Sequence, residues 1–386
     1  MKAVRRVIRR KRATSKSTVL LGKKGLCADR PRQDPLRRFT PTPYARSLSV
    51  MGRTLRLETD DLRILERTVE LFAPHPDSSK EAASFRWRIV SQSCSQMYSF
   101  WPRRSAFSDA GLRFAEFGQR NFVAVDLAER EGVAFLAEAL AEDALGFTGI
   151  FLDTLFYMTA GALGLVSLSA ACVASGTDAL LVMGPPDQGK TTACYLAAQR
   201  GLKFHADQAV FLEMKNRRLR AWSDFFPLTF RPQALQFLPE LRRTERVAYF
   251  DREYQCLDRR QFDSSGDGAV NPICCVVLAR EAASEPRLVR LTDVDSCRQL
   301  YESFALKEDD QSKAPRTEIL DALAKIPTYH LAYGSNPRAA ASFFHDLIAT
   351  HKKRQGHEIS QGFSSRGVAQ HASVLSTCAV LLNRKR

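Results

Sequence analysis

The stretch ALLVMGPPDQGKTTACYLAAQRGLKFHADQAVFLE, Ala179–Glu213, decides how the rest of the chain is read. Four apolar residues, Leu180–Met183, run into Gly184, and the spacing Gly184-x-x-x-x-Gly189-Lys190-Thr191 then opens a segment of helical character. This is the Walker A pattern. Its glycines let the backbone curl so that N–H groups converge on phosphate oxygens, where the helix N-terminus adds positive potential. Lys190 suits the β- and γ-phosphates, and the Thr191 hydroxyl suits Mg²⁺. The candidate nucleotide-binding residues are therefore Gly184, Pro185, Pro186, Asp187, Gln188, Gly189, Lys190, Thr191 and Thr192. Pro185 and Pro186 each fix a φ angle, so the turn is stiff.

Immediately upstream, Ser175-Gly176-Thr177 is a tight-turn signal between two β-rich runs, which gives the strand before the loop an antiparallel hairpin partner. In doubly wound nucleotide-binding folds the neighbours of that strand are parallel and arrive through helices. Downstream, a helix over Thr191–Arg200 ends near Gly201, and LKF leads into the strand-like HADQAVFLE.

These residues resemble the HPr kinase/phosphorylase family, specifically the HPr-kinase-like serine kinases, whose loop type also serves the ATP-dependent phosphoenolpyruvate carboxykinases. SLSAACV, the hairpin into LLVMGPPDQGKTT, and RGLKFHADQAVFL carry the likeness, with softer matches at Asp224–Gln236 and Pro327–Ile348. The resemblance implies an α/β fold of α+β character, with a mixed, largely antiparallel sheet carrying the loop and a smaller N-terminal α+β region. It further implies ATP and Mg²⁺ as ligands, Lys190 and Asp207 as catalytic residues, and Thr191 and Asp207 as metal-binding residues. The expected substrate is a serine-bearing protein or peptide, and homo-oligomers are common among relatives. Three departures stand out: Ser167-Leu168-Ser169 replaces Ser-Leu-His, Asp207-Gln208 replaces a pair of acids, and no Glu-x-Arg-Gly signature is present.

The rest of the chain supplies context. Its 386 residues suffice for one large or two modest domains. The net charge of +15 is concentrated in residues 1–50, where fifteen Lys/Arg face two Asp/Glu. That leaves a nearly neutral body, which argues against a nucleic-acid surface outside the arm. Nine scattered cysteines without CxxC or metal spacing suit buried thiols in a reducing cytoplasm. The domain expectations are a basic disordered arm over 1–50, an α+β accessory domain over 51–143, the loop-bearing domain over 144–350, and a flexible tail over 351–386. Met51 is an alternative start, because ordered-looking sequence begins there.

Within the accessory region, TLRLE, SFRWRIV, LRFAEF and NFVAVDL read as strands. Asp60 or Asp61 caps a helix that presents Leu62, Leu65, Val69 and Leu71 or Phe72. Glu129–Leu140 reads as a helix. The apolar run Leu145–Val173 reads as a buried helix, Phe147–Ala160, then a strand, Leu163–Val173, in preference to a membrane span, since Asp153, Gly161 and Gly164 interrupt it. His205 and Asp153 read first as structural residues, and Arg231 as either a packing residue or a steering group for an anion.

Three alternatives to a kinase follow. A nucleotide-sensing protein without transfer fits Gln208, which cannot take a proton. A GTPase or motor-type ATPase needs Asn-Lys-x-Asp, which is absent, or an apolar strand ending in an acid, of which VVLARE at Glu281 is a faint echo. A nucleic-acid binder would work through residues 1–50.

Overall fold

Met51 and Gly52 both adopt positive φ, 49° and 71°, and close a two-residue hairpin between β1 (Tyr44–Val50) and β2 (Arg53–Thr59). The computed structural model describes residues 40–72, 83–92, 111–117, 121–224, 227–249, 252–257, 268–281, 285–304 and 310–360. The arm expected over 1–50 is thus shorter at its C-terminal end: Tyr44–Val50 is strand, and 1–39 lies outside the described residues. Met51 is a buried turn residue rather than the edge of the fold.

From β2 the chain enters α1 (Leu62–Leu71), whose N-cap Asp61 accepts from the Arg63 backbone N–H. Of the expected apolar face, Leu65, Val69 and Leu71 pack half-buried against the N-terminal core. Ile64, Thr68 and Phe72, spaced four apart, are buried, whereas Leu62 is exposed. β3 (Phe85–Gln92), β4 (Leu112–Glu116), β5 (Phe122–Asp126) and β6 (Glu131–Ala137) complete a sheet of order β1-β2-β3-β6-β5-β4. The helix expected over Glu129–Leu140 is corrected here: Glu131–Ala137 is strand, and only α2 (Glu138–Glu142) is helical. β6 is paired on both edges, by parallel β3 and antiparallel β5, and the consecutive residues Ala134–Ala137 are all buried, so its apolar run carries no alternation to betray it. Gly132 leaves room for Trp87, 3.3 Å from where a Cβ would stand.

The apolar run then forms a broken helix: α3 (Ala144–Gly146), a π-helical turn over Phe147–Leu152, α4 (Asp153–Thr159) and a 3₁₀ turn over Ala160–Leu163. By length and composition alone Ala144–Leu163 is long and apolar enough to cross a membrane, yet 61% of its most apolar window is buried inside the protein. Phe156 packs edge-on against Trp87 of β3 and Phe211 of the following sheet system, at 6.4 and 5.0 Å between ring centroids. The segment assigned to the loop-bearing domain from 144 onward therefore shares the N-terminal core, and the boundary at 143 does not separate two cores.

The expected strand Leu163–Val173 is two strands, β7 (Val166–Leu168) and β8 (Ala171–Ser175). β8 turns through Gly176 (φ 63°) into β9 (Asp178–Met183), in antiparallel register. After the glycine loop come α5 (Lys190–Ala198), β10 (Lys203–Ala206), β11 (Val210–Lys215), β12 (Arg218–Ser223) and β13 (Leu228–Phe230). β14 (Glu245–Tyr249), β15 (Arg252–Leu257), β16 (Asn271–Arg280), β17 (Arg287–Arg290), α6 (Asp293–Ser303), α7 (Asp310–Ala324), β18 (Thr328–Tyr333) and α8 (Pro337–Ser360) follow. α8 runs well into the tail expected to be flexible from Lys352; 361–386 lies outside the described residues.

The central sheet has the order β10-β8-β9-β16-β18-β17 and is mixed: β16 and β18 run parallel to β9, while β8, β10 and β17 give antiparallel pairs. Leu180 and Val182 face the core shared with α5 and α8, and Leu181 and Met183 face that shared with α6, α7 and the small sheet β12-β11-β7. This is the expected α/β fold of α+β character.

An ion pair joins the two halves. Arg53 Nη2 lies 2.6 Å from the buried Glu213 carboxylate, which also accepts from Trp222 Nε1 at 2.8 Å, and Arg53 Nε donates to Leu163 O at 2.9 Å. Among the described residues six cysteines carry free thiols, and burial pushes Cys275 up to about 12, so it stays protonated and inert.

A chain starting at Met51 would lose β1 and its buried Leu48 and Val50. It is expected to melt well below the full chain, and Leu48→Ala in the full chain to lose roughly 2–4 kcal/mol in denaturant unfolding. Leu48→Met should lose less than about 1.5 kcal/mol.

Candidate functional site

The loop Gly184–Gly189 lies where β9 and β16 run side by side into the N-terminus of α5. Gly184 has φ 130°, and a Cβ there would stand 2.5 Å from Leu278 O of β16, so only glycine lets the two strand ends approach. Gly189 has φ 77° and caps α5, and a Cβ there would be driven into the Tyr333 hydroxyl at the end of β18. Asp187 takes the left-handed region at φ 69°, which aspartate tolerates better than most side chains. The backbone N–H groups from Asp187 onward remain as donors, since only Pro185 and Pro186 lack one. Together with the first turn of α5 they gather backbone donors at a helix N-terminus, an arrangement that suits an anion.

Neighbouring strands clamp the loop. Tyr333 Oη donates to Gln188 O at 2.8 Å, and the Arg280 N–H donates to Gln188 Oε1 at 2.5 Å. Lys190 Nζ folds back onto Gly184 O and Pro185 O at 2.8 and 2.9 Å. Burial lowers the Lys190 ammonium below its ordinary value, partly offset by the Asp207 carboxylate.

At the first turn of α5, Thr191 Oγ1 donates to Asp207 Oδ1 at 2.6 Å. Asp207 is only 3% exposed. The register slips between Phe204 and Ala206, a bulge that breaks the alternation along β10. His205 consequently turns its Nε2 to Ala221 O of β12 at 3.2 Å, while Asp207 reaches Thr191. Gln208 is exposed; its amide donates to Thr229 Oγ1 at 3.2 Å and its backbone N–H to the buried Asp224 carboxylate, also at 3.2 Å. Arg231 reaches across to the loop, 2.5 Å from Asp187.

The structure thus gathers Gly184, Asp187, Gln188, Gly189, Lys190, Thr191, Asp207, Gln208 and Arg231 around one loop. Asp153 heads α4 in the N-terminal core, and Ser169 is exposed, its N–H donating to Ser303 O at 2.7 Å. Tyr333, Arg280, Thr229 and Asp224 were not singled out by sequence. Tyr333 and Arg280 are legible only once β16 and β18 are known to lie beside β9. The strand VVLARE does neighbour the loop strand in parallel, but Arg280 ends it, and Glu281 donates its backbone N–H to Tyr333 O.

Thr191 and Asp207 set two hard oxygens side by side at a helix N-terminus. That donor set fits Mg²⁺ held jointly with phosphate oxygens and water. Among the described residues no group of three His, Cys, Asp or Glu side chains converges on one point. A cation would therefore complete its shell from ligand and solvent.

The fold and site together define a glycine-rich loop that leads from a mixed sheet into a helix N-terminus. No family model matches this chain, and no curated protein matches its sequence. Among solved structures, the Hpr(Ser) kinase/phosphatase from Coxiella burnetii aligns over 52% of this chain and 99% of its own, at 12% identity and a TM-score of 0.27. A superposition that loose carries no weight for activity.

Gly189→Ala is expected to weaken binding of a fluorescent ATP analogue at least tenfold, about 1.4 kcal/mol, from the collision with Tyr333 and the left-handed φ. Adding Tyr333→Phe should recover part of that loss, read by fluorescence titration.

Proposed function

We propose that this chain is an ATP- and Mg²⁺-dependent kinase of the HPr-kinase-like group, transferring the γ-phosphoryl to a serine hydroxyl of a small protein or peptide in the cytoplasm. The observation that carries it is the Thr191–Asp207 pair, 2.6 Å apart beside Lys190 at the loop. In this reading the loop N–H groups and Lys190 hold the β- and γ-phosphates, for which Lys190 exchanges Gly184 O and Pro185 O. Mg²⁺ at Thr191 and Asp207 supplies charge neutralisation on the phosphate oxygens. Asp207 takes the proton of the acceptor hydroxyl as its oxygen bonds to the γ-phosphorus and the bond from that phosphorus to the β–γ bridging oxygen breaks, leaving ADP.

A second reading, nucleotide binding without transfer, is favoured by Gln208, whose amide is taken up by Thr229 and offers no proton acceptor. The two separate by mutation. Lys190→Ala should abolish ATP binding, whereas Asp207→Asn should retain it and lower ³²P transfer to serine substrates by about a hundredfold or more. Unchanged transfer in Asp207→Asn would remove the mechanism; binding without any transfer by the unaltered chain would establish the second reading.

A further inference from the structure

β13 lays a polar edge across the mouth of the site. Leu228 and Phe230 are fully buried in the core beneath α5, so Thr229 and Arg231, two residues apart in extended backbone, share the opposite side. Each touches a different part of the site: Thr229 accepts from the Gln208 amide beside Asp207, and Arg231 pairs with Asp187 on the loop. β13 therefore spans from the phosphate cradle to the acid that would receive the acceptor proton. Within the order β13-β15-β14 it is also the outer strand.

Arg231 is the cation on this edge. Its guanidinium is 38% exposed and its partner carboxylate 52% exposed, so the pair is open to exchange with another carboxylate. Lys190 is already committed to the loop and, on the reading above, to the phosphates. Resting on that reading, the geometry points to β13 as the acceptor wall: Gln208 and Thr229 lie beside the reacting serine, and Arg231 selects an acidic residue two positions from it. An extended acceptor alongside β13 repeats the two-residue spacing of Thr229 and Arg231, which places its side chain at i±2 opposite the guanidinium. The partner is thus an acidic, serine-bearing peptide segment.

The test uses the full chain and paired synthetic peptides, identical except for Glu or Gln two residues from a single serine. Their affinities are measured by fluorescence anisotropy with Mg²⁺ and a non-hydrolysable ATP analogue, and their phosphorylation with γ-³²P-ATP. The unaltered chain should prefer the Glu peptide about tenfold in Kd and in KM. Arg231→Ala and Arg231→Gln should bring the ratio to about one, and Arg231→Lys should retain part of it. Glu-selective, Arg231-dependent binding without phosphorylation would uphold the acceptor wall and overturn the kinase. Equal binding of both peptides, no binding of either, or a preference that survives Arg231→Gln would overturn the acceptor wall even if serine is phosphorylated. Should Arg231→Ala fail to fold, Arg231→Gln and the Glu/Gln ratio of the unaltered chain still decide.

Discussion

Gly184 at the end of β9 and Leu278 O on β16 lie so near each other that a Cβ on Gly184 would stand 2.5 Å from that oxygen, which leaves no room for a methyl group. Everything around the loop depends on that proximity. It lets β16 continue past the loop so that the Arg280 N–H reaches Gln188, and it aligns β18 so that Tyr333 reaches the carbonyl of the same residue. Two strands that enter the chain about ninety residues or more after the loop thus hold it from one side. A loop clamped this way keeps its backbone donors in fixed directions.

The same arrangement carries local costs. Asp187 sits at positive φ, two prolines withhold N–H groups, and Lys190 is partly desolvated. The two charges are each met by a contact. Lys190 donates to two carbonyls, a weaker match for an ammonium than phosphate oxygens, and Asp187 is balanced by Arg231. The resting loop is therefore internally satisfied without being closed. Its cations are held by neighbours that exchange.

What could be read in the sequence was mostly local. The Walker A spacing, the Gly176 turn and the strands at TLRLE, SFRWRIV, LRFAEF and NFVAVDL are each settled within a dozen residues, where turn chemistry and alternation act. β6 misled because a strand buried at consecutive residues shows a continuous apolar run, and Glu, Ala and Leu within it favour helix until β3 and β5 pair with it. The face of α1 was legible at Leu65, Val69, Leu71 and Phe72 but not at its centre, since Thr68 is buried by satisfying its hydroxyl on Ile64 O, which no hydropathy pattern anticipates. Met51 looked like a beginning because the sequence before it is basic and irregular, yet it is the turn that pairs β1 with β2. Tyr333 and Arg280 were illegible for a different reason: their importance is a matter of strand order, which is non-local.

Gln208, next to Asp207 in sequence, takes on a clearer meaning in three dimensions. The corner it occupies is not left without negative charge, because the buried Asp224 at the end of β12 accepts from the Gln208 N–H. That contact anchors the peptide unit directly after Asp207, and with the bulge at His205 it sets where the Asp207 carboxylate emerges. Asp207 turns inward to Thr191, whereas the Gln208 amide turns outward to Thr229 and extends the polar edge towards Arg231. Gln208 therefore leaves Asp207 as the acid that meets Thr191 and places a hydrogen-bond donor facing β13, so neighbouring residues in the chain serve the two sides of the loop.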